Sequence, residues 1–236
     1  MTMAYEGIQS SLVPLTPRGT EPWERVDLPS MHGTLYASQN CPEHIVETVL
    51  GLNTGEKSAA QGLDYVGAGK FGTVVARDEV AYKIHYPDRV VNLYPLSELI
   101  ANLALSEGLK ITESEAAQDE PSFRVKSPDY YAALVPEHVF LRTGPPSRFI
   151  IAMSLEPGRE ATAADLPPSE MRIARYKAAI DACGLDPTAV LPDDVDTDGK
   201  PINTLVKPEA GNQKVAFTKL DVMAGRDFAF RDLGIL

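Results

Sequence analysis

Three stretches of the 236-residue chain carry residues whose types and spacing could do chemistry. The first is Tyr65 to Tyr86, YVGAGKFGTVVARDEVAYKIHY, in which Gly67, Gly69 and Gly72 are followed by Lys83. Glycines at that spacing let backbone N–H groups close on a phosphate without Cβ clashes, and one ammonium adds charge to the same place. The second stretch is DVDTDGKPINTLV, beginning at Asp194, with Asp198, Lys200 and Asn203. The third is TKLDVMAG, with Asp221. Asp198 can accept a proton from a hydroxyl. Asn203 and Asp221 offer the hard oxygens that a divalent cation takes.

The elements around these residues decide which phosphate chemistry is open. A dinucleotide-binding G-x-G-x-x-G must turn from a strand into a helix. Here Thr73-Val74-Val75 continues as strand, and Val80 and Ile84 make a further strand after the polar turn Arg77-Asp78-Glu79. No G-K-[ST] closes the loop, so a P-loop is also disfavoured. The aspartate run has its own alternative. Asp194, Asp196, Asp198 and Gly199 fit the first half of an EF-hand, but Leu205 stands where the bidentate Glu is required, and Pro201 denies the following helix. A plain acidic surface loop stays open.

Taken in order, GAGKFGTV, VAYK, DGKPIN and the Asp221 segment resemble a protein kinase over roughly residues 63–225. The resemblance implies an α+β, protein kinase-like two-lobed fold with a β-rich N-lobe and a strongly reduced C-lobe. It implies ATP and Mg2+ as cofactors and phosphoryl transfer to Ser or Thr of a protein substrate. Gly67, Gly69, Gly72 and Phe71 would cover the phosphates. Lys83 would reach the α- and β-phosphates, held by Glu98, with Glu107 as the alternative. The backbone of Ser154, Leu155 and Glu156 would read the adenine. Asp198 would orient the attacking hydroxyl, Lys200 would stabilise the transferring group, and Asn203 and Asp221 would hold magnesium. Each also has a plain structural reading: a hairpin turn for the glycines, a solvated strand lysine, a helix-surface glutamate, turn residues for the rest.

The pattern departs from the family in places. Asp196 and Thr197 replace the His and Arg before the catalytic Asp, so activity would not depend on a phosphorylated activation loop. Val222 and Met223 replace the Phe and Gly after Asp221, and only 15 residues follow Asp221 here. This layout resembles the compact effector kinases that bacterial pathogens deliver into host cells. A catalytically weak pseudokinase-like binding module and a small-molecule phosphotransferase are the competing functions.

Composition bounds the rest. With 44% hydrophobic and 23% charged residues, the chain can build a core. A net charge of −11 argues against a broad nucleic-acid surface. No apolar run suggests a membrane span. Cys41 and Cys183 read as free thiols, and no Cys/His cluster forms a zinc site. MTMAYEGIQSS lacks the regions of a secretory signal, so a cytoplasmic chain is the default expectation, with delivery into a host cell without a cleaved signal as the variant.

The expected organisation is a flexible N-terminal arm over 1–40 with Trp23 as an anchor, an N-lobe over 41–156, and a minimal C-lobe with the catalytic hairpin over 157–236. Helices are expected over 42–52, stopping near Gly51, over 94–109, stopping at Gly108, and over 170–183, stopping at Gly184. Strands are expected over 130–141 and 148–155 and around the turn at 209–213, with loops over 53–62 and 112–129 and a linker at 156–169.

Overall fold

The computed structural model describes residues 10–13, 22–69, 71–86, 95–115, 123–136, 148–188, 190–191, 201, 203–207, 215–219 and 223–224. The fold is α+β, with a large antiparallel sheet and a few helices. It divides into two compact units. The first takes in Thr20–Leu99 and Asp129–Leu155; the second takes in Ile100–Pro128 and Glu156–Leu236.

The first unit is built on eight strands. In chain order these are β1 (Ser10–Val13), β2 (Trp23–Leu28), β3 (Gly33–Ala37), β4 (Asp64–Ala68), β5 (Gly72–Arg77), β6 (Val80–His85), and, after β7 (Phe123–Lys126) of the second unit, β8 (Tyr130–Pro136) and β9 (Ile150–Ser154). Their spatial order is β1-β2-β3-β8-β9-β6-β5-β4, every neighbour antiparallel. Side chains alternate across a strand, so β6 sends Val80 and Tyr82 to one face and Lys83 and His85 to faces set by the same alternation. Val80 and Tyr82 join Leu35, Leu134 and Ile150 in the core beneath helix α1 (Glu43–Thr54), which contributes Ile45, Val46, Val49 and Leu52. Lys83 and His85 share the opposite face.

Helix α1 runs past its expected stop. It ends at Gly55, whose φ of 74° is the left-handed turn that glycine adopts freely. Gly51 serves closeness instead: a Cβ there would lie 2.4 Å from the Ala59 Cβ of α2 (Lys57–Ala60), a turn of helix inside the stretch expected as loop. Arg77 fastens that segment, donating to the Ala59 carbonyl at 2.8 Å and to that of Gln61.

The largest correction concerns 1–40. Its described part from Trp23 to Ala37 is not a flexible arm but two sheet strands, with Trp23, Val26, Leu28, Leu35 and Ala37 buried. The alternation is hidden because β3 is buried on both faces and so shows no polar side.

Helix α3 (Pro95–Glu115) begins in the first unit, and its turns from Ile100 onward belong to the second. Residues 100–128 thus leave the unit in which the sequence placed them. Gly108 does not end α3. It is buried where α3 meets α4 (Ser169–Ala182): a Cβ on it would lie 1.8 Å from the Ala179 carbonyl oxygen. The second unit also holds a four-stranded sheet in the order β10-β12-β13-β7, where β10 is Arg159–Glu160, β12 is Thr204–Val206 and β13 is Val215–Lys219. Strand β7 pairs parallel with β13 and lies in the stretch expected as loop. A short pair joins β11 (Val190–Leu191) to β14 (Met223–Ala224). Helix α4 ends as expected at Gly184, φ 77°.

The expected linker after residue 156 is pinned. Arg159 grips Asp165 with both terminal guanidinium nitrogens, one at 2.8 Å, and the Thr162 hydroxyl and N–H donate to the same carboxylate at 2.6 and 2.8 Å. The Arg159 hydrogen bonds hold the Asp165 carboxyl well below the usual carboxylate range. A depressed folded value means that the clamp is present above the ordinary carboxylate range and is lost as pH falls through the folded one. The melting-temperature gap between the wild type and Asp165→Asn is therefore expected near pH 6 and should close at strongly acid pH. A gap that persists there would show that ionisation of Asp165 does not sustain the clamp.

Both cysteines are free, and burial pushes the thiols up, Cys41 to about 12 and Cys183 to about 11, which disfavours the thiolate at neutral pH. Among the described residues, no helix is long and apolar enough to cross a membrane.

Candidate functional site

The glycine stretch forms a flap of two strands, β4 and β5, with a bulge between Tyr65 and Gly67. Gly69 closes the turn, its N–H donating to the Gly72 carbonyl at 2.9 Å. The half-buried Phe71 follows, and its carbonyl takes the Tyr86 N–H at 2.8 Å.

The three glycines have different reasons. A Cβ on Gly72 would stand 2.3 Å from the Ile84 carbonyl oxygen, so the neighbouring strand β6 requires glycine there. A Cβ on Gly67 or Gly69 would meet nothing within 4 Å, and neither has a left-handed backbone. The packing of the described residues does not require glycine at those two positions.

Lys83 lies in β6, opposite Val74 of β5 and Ile151 of β9. Its side chain is 16% exposed, and its Nζ stands 3.4 Å from Glu98 Oε1, itself 8% exposed. Glu98 occupies the first turn of α3, where the helix dipole favours a carboxylate. Glu107 is engaged elsewhere, with Lys110 at 3.0 Å. The structure thus brings together Lys83 and Glu98, and it adds His85, which the sequence reading passed over. His85 Nε2 lies 3.4 Å from the same Glu98 Oε1. The signal was available: His85 is two residues past Lys83, on the same strand face.

The segment expected to read adenine is partly committed. The Ser154 N–H donates to the Asp129 carbonyl and the Leu155 N–H to the Glu79 carbonyl, both at 2.8 Å, while Ser154 Oγ accepts from the Asp129 N–H at 3.0 Å. The amides of Ser154 and Leu155 are therefore used inside the sheet.

In the second unit, β12 and β13 pair antiparallel with Thr204 opposite Lys219. Asn203, exposed and just before Thr204, has a φ of 49°, a left-handed conformation that asparagine tolerates better than most residues. It stands at the hairpin end from which the chain runs on past Lys219 towards Asp221. Asp198, Lys200 and Asp221 lie outside the described residues. Among the described residues, no group of three His, Cys, Asp or Glu side chains is placed to hold a metal.

No family model, no curated protein and no solved structure matches the chain.

Proposed function

We propose that the chain is an ATP- and magnesium-dependent protein kinase with a two-lobed, kinase-like fold, acting on Ser or Thr of a protein, a host protein if it is a delivered effector. The observation that carries this reading is the Lys83–Glu98 pair at 3.4 Å on the strand next to the glycine flap. A lysine largely withdrawn from water, held by a buried carboxylate on the following helix, is a costly arrangement for structure alone. It is the arrangement that aims one ammonium at a nucleotide's phosphates.

The glycines add a second support. Among the described residues, a Cβ at Gly67 or Gly69 would meet nothing within 4 Å, which leaves room for a ligand at the flap. Phosphates beneath the flap would receive backbone N–H groups from above and Lys83 from the side. Asp198 would orient the acceptor hydroxyl, and Lys200 would offset charge on the transferring group. The oxygens of Asn203 and Asp221 suit magnesium. When bound, that ion neutralises the phosphates.

The test is transfer from labelled ATP with magnesium, with and without a eukaryotic lysate, comparing the wild type with Asp198→Ala and Asp221→Ala. Label on a protein in the wild type, reduced at least about 100-fold in both variants, is expected. Nucleotide binding without transfer would move the assignment to the pseudokinase reading, which the replaced neighbours Thr197 and Val222 favour. Absence of both transfer and a nucleotide-induced thermal shift would sink the assignment.

A further inference from the structure

The flap leans on one neighbour. Strand β4 is the last in the sheet order, with Tyr65 69% and Val66 52% exposed, so among the described residues β6 is the strand that supports the flap. At the tip that support runs on past the end of β6. The Tyr86 N–H donates to the Phe71 carbonyl at 2.8 Å, and the Tyr86 and Thr73 hydroxyls lie 3.1 Å apart, each able to donate to the other. Tyr86 thus holds the flap by its backbone just before Gly72 and by its side chain just after it.

The side-chain contact is a diagonal one. Thr73 stands opposite Ile84, and Tyr86 is two residues further along. Diagonal neighbours in an antiparallel pair are about 7–8 Å apart, within reach of aromatic and long side chains. Thr73, Ile84 and Tyr86 share the face of Tyr82, whereas Gly72, Val74, Lys83 and His85 share the other. The hydroxyl pair therefore lies on the back of the flap, away from the Lys83–Glu98 pair. Both residues are half-buried, and one hydroxyl pair in that setting contributes little to global stability. Its effect is local, because lifting the tip away from β6 breaks it.

We propose that Tyr86 is a positioning residue for the flap: paired with Thr73, it latches the tip down over the phosphates of a nucleotide and so sets how fast the nucleotide leaves. The proposal rests on the nucleotide reading above. Release requires the tip to rise, and the Tyr86 contacts are those that must part as it does. Tyr86 does not touch the nucleotide; it acts through Phe71 and Thr73.

The experiment is stopped-flow release of a fluorescent ADP derivative, with magnesium, from the full chain. The variants are Tyr86→Phe, Thr73→Val, Thr73→Ser and the double variant of Tyr86→Phe with Thr73→Val. Tyr86→Phe and Thr73→Val are each expected to speed release about fivefold, the worth of one hydrogen bond, with little change in the association rate. Thr73→Ser keeps the hydroxyl and should release like the wild type. The double variant should be no faster than either single one, since both remove the same contact. Melting temperatures should stay within about 3 °C of the wild type, so that release reports the latch and not the fold. Release unchanged in Thr73→Val, release speeded equally in Thr73→Ser, or multiplying effects in the double variant overturn the proposal. If Tyr86→Phe does not fold, the two Thr73 variants decide. Binding with unaltered release fails this inference alone, whereas absence of binding by the wild type fails the nucleotide reading with it.

Discussion

Gly108→Ala is expected to lower the melting temperature by roughly 5 °C or more, corresponding to a loss of about 2 kcal/mol for a chain of this size. Two effects oppose one another. Alanine is the better helix former by about 1 kcal/mol in mid-helix. Against that, its Cβ would lie 1.8 Å from the carbonyl oxygen and 2.4 Å from the carbonyl carbon of Ala179. Those are backbone atoms of α4, which no rotamer change can move aside. Overpacking typically costs about 1–3 kcal/mol and occasionally more, and a contact this short against backbone belongs at the upper end. The clash therefore wins. Gly108→Val should be worse, since it enlarges the clash and gives up helix propensity. Thermal melting of the two variants checks this, and an unchanged or raised midpoint for Gly108→Ala would mean that α3 and α4 do not approach so closely.

Lys83→Met is expected to reduce transfer from ATP by about 100-fold or more, the loss typical of removing one preorganised charge from a transferring group. Glu98→Gln should cost less, because Glu98 acts through the ammonium it holds at 3.4 Å. The double variant should be no worse than Lys83→Met alone, since the two residues work as one unit. Steady-state kinetics of the three variants give the answer. Independent, multiplying losses would mean that Glu98 has its own contact with the substrate, and activity within twofold of the wild type in Lys83→Met would remove the lysine from the site.

The flap was legible because its signals are local. Glycine spacing, the β-branched run Val74–Val75 and the polar turn at Asp78 each constrain a few neighbouring residues, and the strands follow. Glu98 was legible from its place in the first turn of a clear helix. What the sequence hid depends on distant partners. Gly51 and Gly108 look like helix stops, but their role is set by Ala59 and by Ala179, and nothing adjacent announces a close approach. Strands β2 and β3 read as an arm because the strand that completes their burial, β8, lies about 95 residues further along the chain. Strand β7 was missed because it is four residues long and pairs with β13. His85 was missed because the motif that draws the eye ends at Lys83.

The pairing of β3 with β8 sets a timetable for making the protein. Ala37 meets Ala132, about 95 residues later in the chain, and β8 is the strand that joins the three N-terminal strands to the rest of the sheet. On a ribosome, β2 and β3 emerge early as a hairpin whose apolar side chains have no sheet to join. They wait through the synthesis of the flap, helix α3 and β7 before β8 appears. Such long-range pairings slow folding, and the waiting hairpin is an exposed strand edge. The first unit cannot close until Ser154 has left the exit tunnel, so chains released shorter than that would present an unfinished sheet to chaperones.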